Sequence, residues 1–280
     1  MTRHVLPPDG RRWLRVAMTG IAIAALGAAG CARLREAPAP LVVQAIEARC
    51  AKPVDTLVVL LPGAFDRPND FVREGFIDAL QSRGIAADLA LVDATIPYYR
   101  ERTIVARLAE DVIEPARARG IRHVWLAGIS LGGLGSLIYA NERRGIVDGL
   151  LVIAPYLGER TITAEVAASG GLAAWAPPGR IPDDDDDRRI WQWLKTLTTP
   201  TRDVGAERLP SLYLGFGVDD RFATSHRLLA AAMPADRVFT APGDHDWPAW
   251  RAVWSAMLDA APLPRDASCV RAASTSPSPR

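Results

Sequence analysis

Short apolar segments alternate with amphipathic helical segments along most of the chain, and this alternation limits the possible folds more than any other feature. The apolar segments lack the in–out alternation of half-exposed strands, which is typical of a parallel sheet covered by helices on both faces. The sequence therefore predicts an α/β fold. The predicted strands are residues 56–61, 87–92, 123–129, 150–153, 211–216 and 237–240, and the main predicted helices are residues 100–118, 222–233 and 247–258.

The composition is that of a globular protein with one sizeable core. Of the 280 residues, 49% are hydrophobic, and the formal net charge is +1. Binding to nucleic acid phosphates requires clustered, uncompensated lysine and arginine, so this chain is not expected to bind nucleic acid. The sequence contains no phosphate-binding loop, dinucleotide fingerprint or paired Cys/His zinc spacing. We therefore expect neither a metal nor a cofactor.

Residues 1–30 have the pattern of an export signal. Arginines precede an apolar run at 16–29, which is shorter than the roughly 20 residues needed to span a bilayer. The run ends in Ala28-Ala29-Gly30-Cys31, which resembles a bacterial lipobox, although Ala28 replaces the usual branched aliphatic residue. The resemblance implies lipidation of Cys31 and anchoring in the bacterial cell envelope. A plain secretory signal is the alternative.

Composition divides the rest of the chain into a tether and lead-in at 31–53, an α/β domain at 54–261 and a Ser/Pro-rich tail at 262–280. The tail is expected to be flexible apart from any tie at Cys269. Residues 158–209 contain no clear strand pattern. A segment of this length between two core strands is typical of a cap or lid, which we therefore predict here. Its tryptophans, Trp175, Trp191 and Trp193, either line an apolar binding site or seat the cap on the core. The aspartate run at 183–187 predicts a solvated loop. Calcium binding is the alternative, although the run lacks the interleaved glycine and distal glutamate of a calcium loop.

Two cysteines remain after the signal, Cys50 and Cys269, one near each end of the mature chain. Exported proteins mature in an oxidising environment, which favours a disulfide between them. Two free thiols are the alternative.

The strongest chemical signal is Gly128-Ile129-Ser130-Leu131-Gly132, which ends a predicted strand and begins a helix. A sharp strand–turn–helix bend presents a serine oxygen clear of its neighbours, and small flanking residues relieve the resulting crowding. The helix N-terminus also directs backbone N–H groups at the reacting centre. This context predicts that Ser130 is a nucleophile.

A serine nucleophile needs a base, and His245 is the best placed of the four histidines. His4 lies in the signal, His123 begins a strand and so lies at the far end of the sheet, and His226 lies within a predicted helix. His245 lies in a loop after the last strand, at the edge of a parallel sheet where functional groups converge.

The carboxylate that orients the histidine is expected after the strand at 211–216. Asp219 and Asp220 both follow this strand and precede His245, in the chain order Ser, Asp, His. Asp220 is preferred because it immediately precedes the next helix, and Asp219 is the alternative. Asp244 and Asp246 are too close in sequence to reach the far ring nitrogen.

An acyl-transfer enzyme also needs N–H donors for the oxyanion. The Leu131 N–H directly follows the nucleophile. The second predicted donor is the Ala64 N–H, in the loop after residues 56–61, where Gly63 lets a substrate approach the backbone closely.

Taken together, GISLGG, GVDDRF, PGDHDW and PGAF resemble the motifs of the α/β-hydrolase superfamily over residues 54–260. The resemblance implies a mostly parallel eight-stranded sheet with a lid after the sixth strand. It also implies hydrolysis of a carboxylic ester, thioester or amide through an acyl-enzyme. A small-molecule or lipid acyl ester is the expected substrate. The alternatives are a non-catalytic envelope lipoprotein that uses the fold as a binding module, and an acyltransferase.

Overall fold

The structure is a computed structural model that describes residues 37–199 and 209–269. The predicted export signal, Cys31 and residues 270–280 lie outside the described residues. No helix within the described ranges is both long and apolar enough to cross a bilayer.

The described residues form one seven-stranded sheet, with helices between successive strands from β2 onward. Its strands lie in the order β1-β3-β2-β4-β5-β6-β7, and all pair in parallel except β1, which is antiparallel to β3. The strands are β1 Val43–Ile46, β2 Thr56–Leu61, β3 Asp88–Val92, β4 His123–Ile129, β5 Gly149–Ile153, β6 Ser211–Gly217 and β7 Val238–Ala241. Strands β2 and β5 are buried at every position, as expected for a sheet covered on both faces.

Helices flank the sheet. They are α1 Pro68–Arg73, α2 Phe76–Ser82, α3 Ile96–Arg100, α4 Ile104–Leu108, α5 Glu114–Ala118, α6 Leu131–Glu142, α7 Arg160–Ala168, α8 Asp186–Thr198, α9 Ala223–Ala230 and α10 Trp247–Ala260. The α/β-hydrolase fold inferred from the sequence is thus the observed one.

The expected count of eight strands is wrong for the described residues, which form seven. No strand was predicted in the tether and lead-in at 31–53, yet residues 43–46 of this segment form β1. Residues 47–55 connect β1 to β2 without forming another strand. Shortly after β1, the Ala48 N–H donates to the Asp88 side-chain carboxylate at 2.8 Å rather than to the backbone of a neighbouring strand.

The single helix predicted at 100–118 is interrupted. Arg102 has a left-handed backbone (φ 57°), so a new helix, α4, begins at Ile104. A π-helical turn at Ala109–Ile113 then separates α4 from α5. Pro115 accounts for this turn, because it has no N–H to donate to residue 111 and its ring crowds that carbonyl.

The segment 158–209 lies between β5 and β6 and carries α7 and α8. Its three tryptophans are buried, and Trp191 Nε1 donates to the Leu157 carbonyl at 2.8 Å. Arg188 joins the two helices by pairing with Glu165. The tryptophans therefore seat this segment on the core rather than lining an open site.

Residues 262–269, which were assigned to the flexible tail, pack against the domain. Leu263 is buried, the Ala86 N–H donates to the Pro264 carbonyl at 2.8 Å, and Cys269 forms a disulfide with Cys50. The packed chain thus extends to residue 269, because this bond and the backbone contacts hold its end against the start of the domain.

Candidate active site

Ser130 occupies the sharp turn between β4 and α6. Its φ of 51° and ψ of −112° are strained for a residue with a side chain. The Ser130 N–H donates to the Ile153 carbonyl at 2.9 Å, and the Ser130 carbonyl accepts from the Tyr156 N–H at 3.0 Å. These bonds to the β5 edge hold the turn in its strained shape.

The flanking glycines explain how the turn fits. A Cβ placed on Gly128 would lie 2.2 Å from the Gly132 carbonyl oxygen, and one on Gly132 would lie 2.1 Å from the Leu61 carbonyl oxygen. Real Cβ atoms do not approach oxygens this closely. The Gly-x-Ser-x-Gly spacing is therefore required by close backbone packing of the turn against itself and against the end of β2.

His245 lies in the loop between β7 and α10, and its Nε2 is 3.0 Å from Ser130 Oγ. The imidazole packs edge-on against the rings of Phe222 and Trp250, with ring centroids 5.2 and 5.1 Å away. Asp246 caps α10 by accepting from the Ala249 N–H. The loop is thus fixed on both sides of the histidine, and the ring has little freedom to turn away from the serine.

Asp220 completes a chain of hydrogen bonds. Its Oδ2 is 2.7 Å from His245 Nδ1, and its Oδ1 accepts from the Phe222 N–H at 2.7 Å. Asp220 is 4% exposed, whereas Asp219 is exposed and does not contact the histidine ring. Burial raises the pKa of Asp220, but the hydrogen bonds from His245 and Phe222 outweigh it and hold this pKa below its ordinary value. The carboxylate is therefore charged at neutral pH.

The loops that carry Asp220 and His245 are bonded to each other. The Val218 N–H donates to the Ala241 carbonyl at 2.9 Å, and the Asp219 N–H donates to the Gly243 carbonyl at 3.0 Å. A Cβ on Gly217 would lie 2.4 Å from the Gly243 carbonyl oxygen. The two loops are therefore in close contact, and Asp220 rather than Asp219 faces the imidazole.

The predicted oxyanion donors also lie beside the serine. A Cβ on Gly63 would be 3.7 Å from Ser130 Cβ, so the loop containing Ala64 borders the nucleophile. Within the described residues, neither the Ala64 N–H nor the Leu131 N–H donates to another protein atom. Both are available to a substrate oxygen.

The remaining described histidines have other surroundings. His123 is exposed at the start of β4 and faces Asp148 at 3.3 Å. His226 is fully buried in α9, with Nε2 2.9 Å from the Pro155 carbonyl oxygen. Burial lowers the pKa of His226 to about 4, so it is neutral at pH 7 and donates from Nε2.

Sequence reasoning missed the two aromatic residues that brace the imidazole. The only available signal was their position, because Phe222 ends the GVDDRF motif and Trp250 follows PGDHDW by three residues. Asp66 follows the PGAF loop and is half-buried, so burial and its neighbour Asp70 raise its pKa. No group of three or more His, Cys, Asp or Glu residues in the described ranges has the spacing to hold a metal ion.

The parallel sheet and the side chains at its carboxyl edge define the class, an α/β-hydrolase. The sequence matches the family described as "Putative esterase" over residues 99–261, which is more than half of this chain. The chain therefore belongs to this esterase family and is a carboxylic ester hydrolase. A comparison with curated proteins finds no match.

Two solved structures are similar to the chain at the level of the fold. One is described as a putative esterase from Staphylococcus aureus, with 14% identity, 82% of each chain covered and a TM-score of 0.51. The other is an S-formylglutathione hydrolase from Agrobacterium tumefaciens, with 10% identity and a TM-score of 0.50, covering 77% of this chain and 86% of that one.

Proposed function

We propose that the enzyme cleaves carboxylic esters through an acyl-enzyme formed on Ser130. The observation that carries this proposal is the continuous chain from Ser130 Oγ to His245 at 3.0 Å and on to Asp220 at 2.7 Å. Both distances lie within the range needed for proton transfer and for orienting the ring.

The first half-reaction joins Ser130 Oγ to the acyl carbon. The hydroxyl proton passes to His245 Nε2, and the carbonyl π electrons move onto the oxygen, which becomes an oxyanion. When the intermediate collapses, the bond to the leaving oxygen breaks and the imidazolium returns its proton to that oxygen. Water, activated by the same imidazole, then releases the acid and restores Ser130.

Two features of the site lower the barrier to this sequence. The Ala64 and Leu131 N–H groups are proposed to donate to the oxyanion, and one such donor is typically worth about 3 kcal/mol. Asp220 fixes the tautomer of His245, with the proton on Nδ1, and stabilises the imidazolium when it forms. The charged state and burial of Asp220 support this role.

Kinetics with a series of p-nitrophenyl esters, from acetate to octanoate, test the proposal. We expect Ser130→Ala and His245→Ala to lower kcat by about 10³-fold or more on the best ester. Ser169→Ala, which removes an exposed hydroxyl bonded to the Glu165 carbonyl, serves as the matched control. Folded wild-type protein that turns over no ester would support a binding module instead.

We further propose that Cys31 is lipidated and anchors the enzyme in the bacterial cell envelope, where lipids or acylated envelope components would be its esters. The Ala28-Ala29-Gly30-Cys31 segment motivates this, and a Cys50–Cys269 disulfide supports an oxidising compartment. Detergent-phase partitioning of the protein from bacterial membranes should be lost in Cys31→Ala. Equal partitioning of this variant and the wild type would refute lipidation at Cys31.

A further inference from the structure

A cleft of about 600 Å³ opens between the inserted helix α7 and the start of α9. This volume is in the range of small-molecule sites. Tyr156 and Phe222 form its aromatic wall, with ring centroids 5.7 Å apart. Phe222 also packs on His245, and the Tyr156 N–H bonds to the Ser130 carbonyl, so the cleft adjoins the proposed catalytic centre.

The cleft carries two arginines without a counter-ion. Arg160 begins α7 and Arg221 precedes α9, and both are exposed and line the cleft. Neither guanidinium has an ion pair or hydrogen bond with another residue in the described ranges. Arg221 stacks over the Phe222 ring at 4.9 Å, which orients the guanidinium without using its N–H donors.

Negative charge in the cleft is limited. Glu159 is its only acidic lining residue among those described, and its carboxylate already accepts from the Tyr156 hydroxyl at 2.8 Å. Asp187 binds the Glu159 N–H at 2.8 Å but does not line the cleft. The lining therefore has a net positive charge. The paired N–H donors of each guanidinium group also match the two oxygens of a carboxylate.

The position of the cleft indicates which part of the substrate it takes. In the proposed mechanism the leaving oxygen receives its proton from His245 Nε2, so the leaving group lies beside the imidazole. Phe222 is the residue that both touches this ring and lines the cleft. We propose that the cleft binds the leaving group of the ester and that Arg160 and Arg221 recognise a carboxylate on it. This inference rests on the proposed function.

The test uses two esters that differ only in this group, 4-(butyryloxy)benzoate and the neutral 4-(butyryloxy)benzamide. We measure the ratio of their kcat/KM values, because intrinsic reactivity cancels when the ratio is compared between variants. Arg160→Gln/Arg221→Gln should lower the benzoate-to-benzamide ratio about tenfold relative to wild type. In the wild type, 0.5 M NaCl should also lower the ratio, because salt screens exposed charges.

Arg119→Gln/Arg143→Gln is the matched control, since it removes the same charge from exposed positions elsewhere. Arg143 follows α6, whose other end is at Ser130, roughly 18 Å away. The control should keep the wild-type ratio.

The inference fails if the ratio in Arg160→Gln/Arg221→Gln stays within twofold of wild type, or if both esters lose activity equally. If the double variant does not fold, the salt dependence of the wild type decides, and a ratio insensitive to salt overturns the inference. Turnover of both esters by Ser130→Ala would instead overturn the proposed function. An unchanged ratio with inactive Ser130→Ala overturns the cleft assignment alone.

Discussion

At the scale of single residues, the site depends on side chains held by bonds to neighbouring loops. Ser130 is strained and held by the carbonyl of Ile153, while His245 lies between two aromatic rings. Asp220 is buried, charged and bonded at both oxygens. Each proposed role follows from these surroundings as much as from the residue type.

Asp220→Asn should lower kcat by about 10³- to 10⁴-fold, because an amide no longer fixes the His245 tautomer or stabilises its charged form. The measurement is kcat on the best p-nitrophenyl ester. Asp219→Asn is the control and should stay within about twofold of wild type, since Asp219 is exposed. Comparable losses in both variants would argue against the assignment of Asp220.

The choice between these two aspartates shows where sequence reasoning stops. The pattern indicated a carboxylate after the strand at 211–216, because functional groups collect at that edge. It favoured Asp220, which lies just before the next helix, but left Asp219 open as the alternative. That choice depends on the contact of Gly217 with the Gly243 carbonyl, which joins two loops distant in sequence.

His226 should make stability depend on pH. Its folded pKa of about 4 is below its unfolded value near 6.5, so the unfolded state binds more protons between these values. The stability it contributes is therefore present above pH 6.5 and is lost as pH falls toward 4, by roughly 3 kcal/mol.

Urea unfolding of the wild type and His226→Gln at pH 6.5, 5.5 and 4.5 checks this. Glutamine does not titrate, and it can still donate to the Pro155 carbonyl. The wild type should lose more of its free energy of unfolding than the variant does. Parallel pH profiles would show that the buried imidazole does not control this loss.

At the scale of elements, the strands were the most predictable part. Residues 56–61 and 123–129 match β2 and β4, because buried parallel strands are apolar along most of their length. Pro62 marks the end of β2, and the Gly-x-Ser-x-Gly turn marks the end of β4. The interrupted helix at 100–118 was less predictable, because a left-handed Arg102 and the local effect of Pro115 leave the helical periodicity intact.

The turn between β4 and α6 gives a direct test of close packing. Gly132→Ala should lower the free energy of unfolding by about 1–3 kcal/mol, because its Cβ would meet the Leu61 carbonyl oxygen. Thermal or urea unfolding measures this effect. Gly179→Ala is the control, because a Cβ there meets nothing within 4 Å, and it should be close to neutral. Equal stability of both variants would contradict the tight turn.

At the scale of the whole molecule, the proposed site gathers residues that follow β2, β4, β6 and β7 at one edge of the sheet. The strand-to-helix alternation made this edge predictable, because parallel strands end on the same side. The antiparallel β1 and the packing of residues 262–269 were not predictable. Both depend on pairing between segments distant in sequence, such as the bridge between Ile85 and Arg265.

The disulfide links positions 219 residues apart and should stabilise the whole domain by restricting its unfolded chain. Cys50→Ser/Cys269→Ser should lower Tm by about 5–15 °C. Scanning calorimetry measures this, and dithiothreitol should lower the Tm of the wild type but not that of the variant. If the reductant leaves the Tm of the wild type unchanged, and the double variant has the same Tm as the wild type, the disulfide does not stabilise the fold.

The proposed mechanism requires that His245 activate the Ser130 hydroxyl as a nucleophile at this edge of the sheet. Reaction with a fluorophosphonate, followed by intact-protein and peptide mass spectrometry, tests it most directly. We expect one adduct per wild-type chain, on the peptide containing Ser130, with greatly slowed labelling of His245→Ala and no labelling of Ser130→Ala. Labelling of Ser130→Ala at the wild-type rate, or an adduct on another residue, would contradict it.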